Sequence, residues 1–202
     1  MNDLIQRLNT WLQKNRPTYY EQLLPGATDE DILLLEHILA IELPQDFKML
    51  LQWKNGQSYK AQSFWDGYKL IPSNSIIAAY QMLENDWRVK TPEFIQNNWW
   101  NPKWMPFLYD GSGNYYCLDM MGVFGGKPGQ IIIYWHDETQ REIAHESFYK
   151  WLETVVRAWE LELEEEDPFY GEYGALFQEI NPGYPVIKEL QWPHDWPNHA
   201  RF

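Results

Sequence analysis

Residues 99–136 read WWNPKWMPFLYDGSGNYYCLDMMGVFGGKPGQIIIYWH, and this stretch decides the fold. It holds three short runs rich in aromatic and branched side chains: Trp104 to Tyr109, Asn114 to Met120, and Gln130 to Trp135. Asp110-Gly111-Ser112-Gly113 separates the first two, and Gly125-Gly126-Lys127-Pro128-Gly129 separates the last two. Glycine reaches positive φ without steric cost, so such clusters between apolar runs act as turns joining antiparallel strands. The stretch therefore predicts a three-strand meander. In its middle strand Tyr115, Cys117 and Asp119 face one side and Tyr116, Leu118 and Met120 the other, so both faces are expected to be covered.

Downstream, Arg141-Glu142-Ile143-Ala144 reads as a further short strand and Ser147 as a helix N-cap. Phe148, Trp151, Leu152, Val155, Val156 and Trp159 then give the cleanest helical stripe in the chain. Upstream, Leu4, Ile5, Leu8, Trp11 and Leu12 predict an amphipathic helix over residues 3–14 that ends before Pro17. Thr28 with Asp31 three residues on forms a near capping box, and the apolar run Ile32 to Leu35 with Ile38 and Leu39 predicts a helix largely covered by its neighbours. Pro44 starts a helix carrying Phe47, Leu50 and Leu51, which Asn55-Gly56 stops. Phe64 to Ile71 reads as a strand or hairpin, and Ile76, Ile77, Tyr80, Leu83 and Trp87 again keep the helical period.

Composition narrows the function classes. At 202 residues the chain is long enough to bury a sizeable core, and with 45% hydrophobic and 22% charged residues it is an ordinary globular composition. Aromatics are unusual: twelve tryptophans and thirteen tyrosines exceed what such a core needs, so some are expected at the surface or at an interface. A net charge of −13 repels phosphate backbones, and no basic stripe overrides it, so nucleic acid is not an expected partner. A basic partner is favoured. The single cysteine fits a reducing compartment, the N-terminus lacks a leader pattern, and no window approaches a membrane span. The chain is expected to be cytoplasmic and without membrane contact.

Candidate chemistry dissolves on inspection. Asp110-Gly-Ser112-Gly-Asn114 begins like a calcium loop, but Met121 stands where the closing glutamate belongs, and a hairpin turn explains it better. The Gly125 to Gly129 cluster lacks Walker spacing. Cys117 falls mid-strand, where a buried inert thiol is the usual case. His136-Asp137-Glu138 reads as a polar turn, with a His-carboxylate metal site as the open alternative, and His194 and His199 make no zinc pattern. No cofactor or metal is assigned, and no catalytic residue.

The order of motifs resembles the SUKH superfamily, whose founding members are regulators of cell-wall assembly and glucan synthesis. The resemblance is carried by Leu43-Pro44 with its apolar helix ending in Asn55-Gly56, by Trp104, Pro106 and Asp110, by the Cys117-Leu118-Asp119 strand, the Gly-rich turn and the aliphatic strand. Ile143-Ala144, Ser147-Phe148 and Trp151-Leu152 complete it, so that it spans about Thr28 to Glu164. It implies a SUKH-like single domain, with Asp110 and Gly113 at recurring turn positions. It also implies one of two roles: bacterial members are often immunity proteins that neutralise toxins, frequently nucleases, while fungal relatives act as scaffolds in cell-wall synthesis.

The expectation is an α+β domain over residues 1–166, with an antiparallel sheet of four to six strands packed with helices. Residues 167–202, with five prolines, are expected to hold little regular structure beyond a helical turn near Ala175 to Ile180 and to wrap back over the domain. The expected function is non-catalytic binding of a basic protein, a cognate toxin. A regulatory scaffold for cell-wall assembly is the alternative, followed by a small-molecule-binding domain. The expected contact residues are the acidic run Glu160, Glu162, Glu164, Glu165, Glu166 and Asp167, which opposes the helix macrodipole and so does not serve local helix stability, with Asp110 second. The sequence leaves the oligomeric state open.

Overall fold

The expected meander forms the middle of a six-stranded, wholly antiparallel sheet whose spatial order is its chain order. The computed structural model describes residues 1–86, 90–164 and 166–191. The strands are β1 (Lys69–Leu70), β2 (Trp104–Tyr109), β3 (Tyr115–Asp119), β4 (Gln130–Tyr134), β5 (Gln140–His145) and β6 (Val186–Glu189). Cys117 pairs with Pro106 on one side and Ile132 on the other, and every residue of β3 is buried, so both faces of the sheet are covered as the alternation implied.

Two carboxylates close the meander's turns. Between β2 and β3, Asp110 accepts the backbone N–H groups of Ser112 at 2.7 Å and Asn114 at 3.1 Å, while Gly111 and Gly113 take positive φ. Between β3 and β4, the fully buried Asp119 accepts the N–H groups of Met121, Gly122 and Val123 at 2.8–3.0 Å and the Gln130 side-chain amide at 2.7 Å. Gln130 packs so closely on Gly126 that a Cβ there would stand 1.7 Å from its Oε1. A side chain there would have to displace the Gln130 amide from Asp119 and Val123.

One sheet face is packed by α5 (Ser73–Glu84) and the segment around α6 (Pro92–Gln96). There Trp100 meets Trp104, Tyr134 and Tyr80, and the buried Arg141 lies between the Trp99 and Tyr134 rings with its guanidinium donating to the carbonyls of Trp99, Glu138 and Gln140. The other face is packed by α4 (Gln45–Trp53), α7 (Phe148–Glu160) and α8 (Gly171–Ile180), with Phe107 wedged against Phe47, Phe148 and Trp151. Outside α7 runs α1 (Asn2–Asn15), which buries Leu4, Leu8 and Leu12 and leads into the short α2 (Pro17–Tyr20). The Ser147 hydroxyl accepts the Lys150 N–H at the start of α7, and Thr28 with Asp31 forms the full reciprocal box at the start of α3 (Asp29–Leu39). Both caps follow from the sequence.

Two expectations need correction. Helix α3 is not covered all round: Ile32, Leu35 and Leu39, at one-face spacing, are buried, while Leu33 and Leu34 point away and are 63% and 52% exposed. The hairpin expected over Phe64 to Ile71 is present, with Asp66-Gly67 turning the chain back on itself at positive φ and Trp65 bridging Tyr68, and only Lys69 and Leu70 of it join the sheet. The C-terminal segment is more regular than its prolines suggested, with ten residues in α8 and a sixth strand pairing with β5. Tyr173, Leu176, Phe177 and Ile180 follow i, i+3, i+4, i+7 and are buried, but Gly171, Gly174 and Asn181-Pro182-Gly183 masked that period. Trp87, Glu165 and the tail from Trp192 to Phe202, including His194 and His199, lie outside the described residues.

Candidate partner-binding face

Helix α7 stops abruptly where its acids begin. Glu162 takes a left-handed conformation at φ 56°, its N–H bonds to the Trp159 carbonyl, and the Leu163 N–H reaches back to Ala158 at 2.9 Å. These are the paired bonds of a Schellman stop, and Leu163 packs on the core beside them. The helix therefore ends in an ordered turn at Glu162 and Leu163. The members of the acidic run differ in fate. Glu160 receives two hydrogen bonds from the Arg7 guanidinium of α1, at 2.9 and 2.5 Å, and is neutralised there. Asp167 accepts the Phe169 N–H at 2.9 Å. Glu162, Glu164 and Glu166 are exposed, and Glu165 lies outside the described residues.

Glu162 and Glu164 border a cavity of about 550 Å³ whose remaining lining comes from distant segments: Trp11 of α1, Arg16, Ser63 to Asp66, and Trp159 and Leu163. Its wall is aromatic. Trp159 stacks on Trp11 with ring centroids 4.8 Å apart and 18° between planes, and Phe64 and Trp65 close around it at 5.1 and 6.0 Å. Trp11 and Trp159 remain half-buried, so part of each ring faces solvent. Arg16 fixes the opposite side by donating to the carbonyls of Ser63 at 2.8 Å and Phe64 at 3.3 Å, and it lies 4.2 Å over the Tyr19 ring. Three carboxylates thus face one guanidinium that is already engaged. Among the described residues no cation forms an ion pair with Asp66, Glu162 or Glu164.

Behind the cavity the same charge imbalance reaches inward. Burial pushes the Glu142 carboxyl up to about 7, with repulsion from Asp66 adding to it, and burial likewise raises Asp66 against a hydrogen bond from the Tyr116 hydroxyl. On the α8 side, burial lowers the His145 imidazole to about 4, although it is held at 3.0 Å by Asn181, which donates in turn to Thr154. Cys117 is fully buried and its thiol is pushed up by desolvation, which removes the thiolate a nucleophile needs.

Asp110 stands elsewhere. Besides the two N–H groups it holds the Ser112 hydroxyl and the Asn114 amide, and these bonds outweigh burial and keep its carboxyl below the ordinary range. Its turn borders a second cavity, about 730 Å³, between β1, α5 and the stacked rings of Tyr109 and Tyr115, with Tyr59 and Met82 exposed at the rim. No described residue of the acidic run lines that groove. Sequence reasoning found the acids but missed Trp11, Trp65, Asp66 and Trp159 as their companions. The surplus of tryptophan was the one signal available, and it carries no position. Among the described residues no group of three or more His, Cys, Asp or Glu is placed to hold a metal ion, and no helix is long and apolar enough to cross a membrane.

A helix-wrapped, six-stranded antiparallel meander with an acidic, aromatic cavity at the end of α7 defines a single-domain α+β protein. The chain belongs to the SMI1/KNR4 family (SUKH-1), whose model matches residues 26–154. It is similar to a glucan synthesis regulatory protein of Neurospora crassa, at 23% identity over 195 residues, covering 75% of this chain and 37% of that protein. It is also similar to the cell wall biosynthesis/cell cycle regulator smi1 of Schizosaccharomyces pombe, at 25% identity over 173 residues, covering 75% of this chain and 34% of the relative. The chain thus spans about a third of the length of the relatives it matches.

Proposed function

We propose that this chain is a non-catalytic protein-binding domain that docks a basic partner in the cytoplasm, and that it serves as an immunity protein against a nuclease-type toxin of a bacterial contact-dependent or polymorphic toxin system. The observation that carries the reading is the acidic, aromatic cavity at the end of α7, set in a chain of net charge −13. Nucleases that grip phosphates present basic surfaces, and an acidic face speeds encounter with them while aromatic rings supply buried anchors. The inert environment of Cys117 supports the non-catalytic part. A second reading, a regulatory scaffold in cell-wall assembly, is favoured by the names of the two fungal relatives.

The test is an affinity pull-down with the whole chain as bait against lysate of its source strain, washed at low and high salt. Immunity predicts one stoichiometric basic protein, released by salt, whose toxicity the chain suppresses on co-expression. Several weaker partners that include cell-wall synthesis factors would replace immunity with the scaffold. Capture of acidic partners alone would overturn both.

A further inference from the structure

We propose that the cavity walled by Trp11, Trp65 and Trp159 and rimmed by Asp66, Glu162 and Glu164 is the subsite that receives an arginine side chain of the basic partner. This rests on the reading of the chain as a binder of basic proteins and names the contact. A guanidinium is planar and weakly hydrated; it stacks on indole faces and pairs in two-pronged fashion with carboxylates, which an ammonium does not. The cavity offers both features. The stacked Trp11–Trp159 pair is only partly buried, and Glu162 and Glu164 line the same cavity with no cation paired to either among the described residues.

The molecule already shows the stacking half of this chemistry twice, with backbone carbonyls in place of carboxylates. Arg16 lies over Tyr19 and, at 5.8 Å, on the Trp159 ring, and Arg141 sits between Trp99 and Tyr134. Arg16 also sets the cavity's limit, because its own positive charge repels a guest on that side. The guest is therefore expected on the Glu162–Glu164 side of Trp159. The left-handed Glu162 aids this by ending the helix early and swinging Glu164 round to the cavity rim. Glu160, neutralised by Arg7, takes no part.

The experiment uses the full chain with indole N–H groups labelled for NMR, titrated with an acetylated hexa-arginine peptide, and with hexa-lysine and hexa-glutamate peptides in parallel. The expected result is shifts concentrated on the indoles of Trp11, Trp65 and Trp159 with hexa-arginine, weaker binding of hexa-lysine, and none of hexa-glutamate. The double variant E162Q/E164Q should bind hexa-arginine about ten-fold more weakly. The charge-matched E42Q/E93Q, altered at two exposed glutamates outside the cavity, should bind within about two-fold of the parent. Equal losses in the two variants, equal binding of lysine and arginine, or shifts that miss these three indoles would overturn the assignment. If the pull-down captures a basic partner whose affinity E162Q/E164Q leaves unchanged, this subsite falls while the basic-partner reading stands. If it captures only acidic partners and hexa-arginine still binds as described, the subsite stands and that reading falls.

Discussion

The turn after β3 and the turn after α7 are both built around acidic side chains, yet their carboxylates have opposite fates. Asp119 is enclosed by three backbone N–H groups and an amide, so its charge is fully satisfied by its own chain. Glu162 and Glu164 follow a helix end whose N–H groups at Leu161, Glu162 and Leu163 are spent on its last carbonyls, and neither side chain accepts a hydrogen bond among the described residues. A carboxylate's availability to a partner is thus set by how many donors the adjacent backbone leaves unused. Asp110 belongs with Asp119 in this respect, since four donors of its own turn hold it. That leaves it less free to meet a partner than the exposed Glu162 and Glu164.

The sharpest way to break this contrast is to remove the enclosed member. Asp119→Ala leaves three backbone N–H groups, that of Val123 buried, without their acceptor and takes one of two acceptors from the Gln130 amide, and it should cost about 3 kcal/mol of unfolding free energy, read as a lowered urea midpoint. Asp119→Asn keeps the size but turns one acceptor into a donor, and it should recover only part of the loss. If Asp119→Ala is as stable as the parent, the buried carboxylate does not organise the turn.

The pH dependence of stability sharpens the contrast next. Glu142 has a folded value of about 7, above the ordinary carboxylate value, so its contribution is complete below about pH 4.5 and is lost as pH rises through 7. His145 has a folded value of about 4, below its ordinary 6.5, so its contribution is complete above 6.5 and is lost as pH falls through 4. Between pH 4.5 and 6.5 the two slopes oppose each other, and the parent chain should show a nearly flat stability profile. Glu142→Gln removes one slope and should expose the other, a loss approaching about 1.4 kcal/mol per pH unit on acidification. Urea titrations across that range check it, and an unchanged flat profile in the variant would remove Glu142 from the balance.

A smaller effect is expected at the β2–β3 turn. Asp110 is partly exposed, so water can replace it as acceptor for the Ser112 and Asn114 N–H groups, and Asp110→Ala should cost about 1 kcal/mol. A loss as large as that of Asp119→Ala would mean that burial is not what separates the two turns.

These carboxylates also mark how far the sequence could be read. The meander was legible because its turns announce themselves: Gly111, Gly113 and Gly129 all occupy positive φ. Helix α7 was legible because Ser147 and the stripe from Phe148 to Val156 lie in one continuous stretch. Helix α8 was hidden by glycines that serve close packing, as at Gly174, where a Cβ would meet the Phe169 backbone at 2.9 Å. The cavity was not legible for a different reason. Trp11, Trp65 and Trp159 come from three distant segments, and only the packing of α1 on α7, with the Arg16 tether on the loop at Ser63 and Phe64, brings them together. Periodicity reports which face of a helix is buried, but not which other helix will supply the ring that covers it.

The smallest stability effect should come from the acids of the proposed binding face. Glu162→Gln with Glu164→Gln removes two exposed charges that hold no hydrogen bond among the described residues, so the urea midpoint should stay within the scatter typical of surface substitutions, about 0.5 kcal/mol. Relief of like-charge crowding favours a slight rise rather than a fall. Association with a basic partner should slow and lose part of its salt dependence at the same time, because steering charges act on encounter more than on the folded state. The combination discriminates. A variant that is both less stable and a poorer binder would place Glu162 and Glu164 beside Asp119, as structural carboxylates whose removal damages the face indirectly. Unchanged stability with slower association would leave the two kinds of turn as distinct in function as they are in geometry.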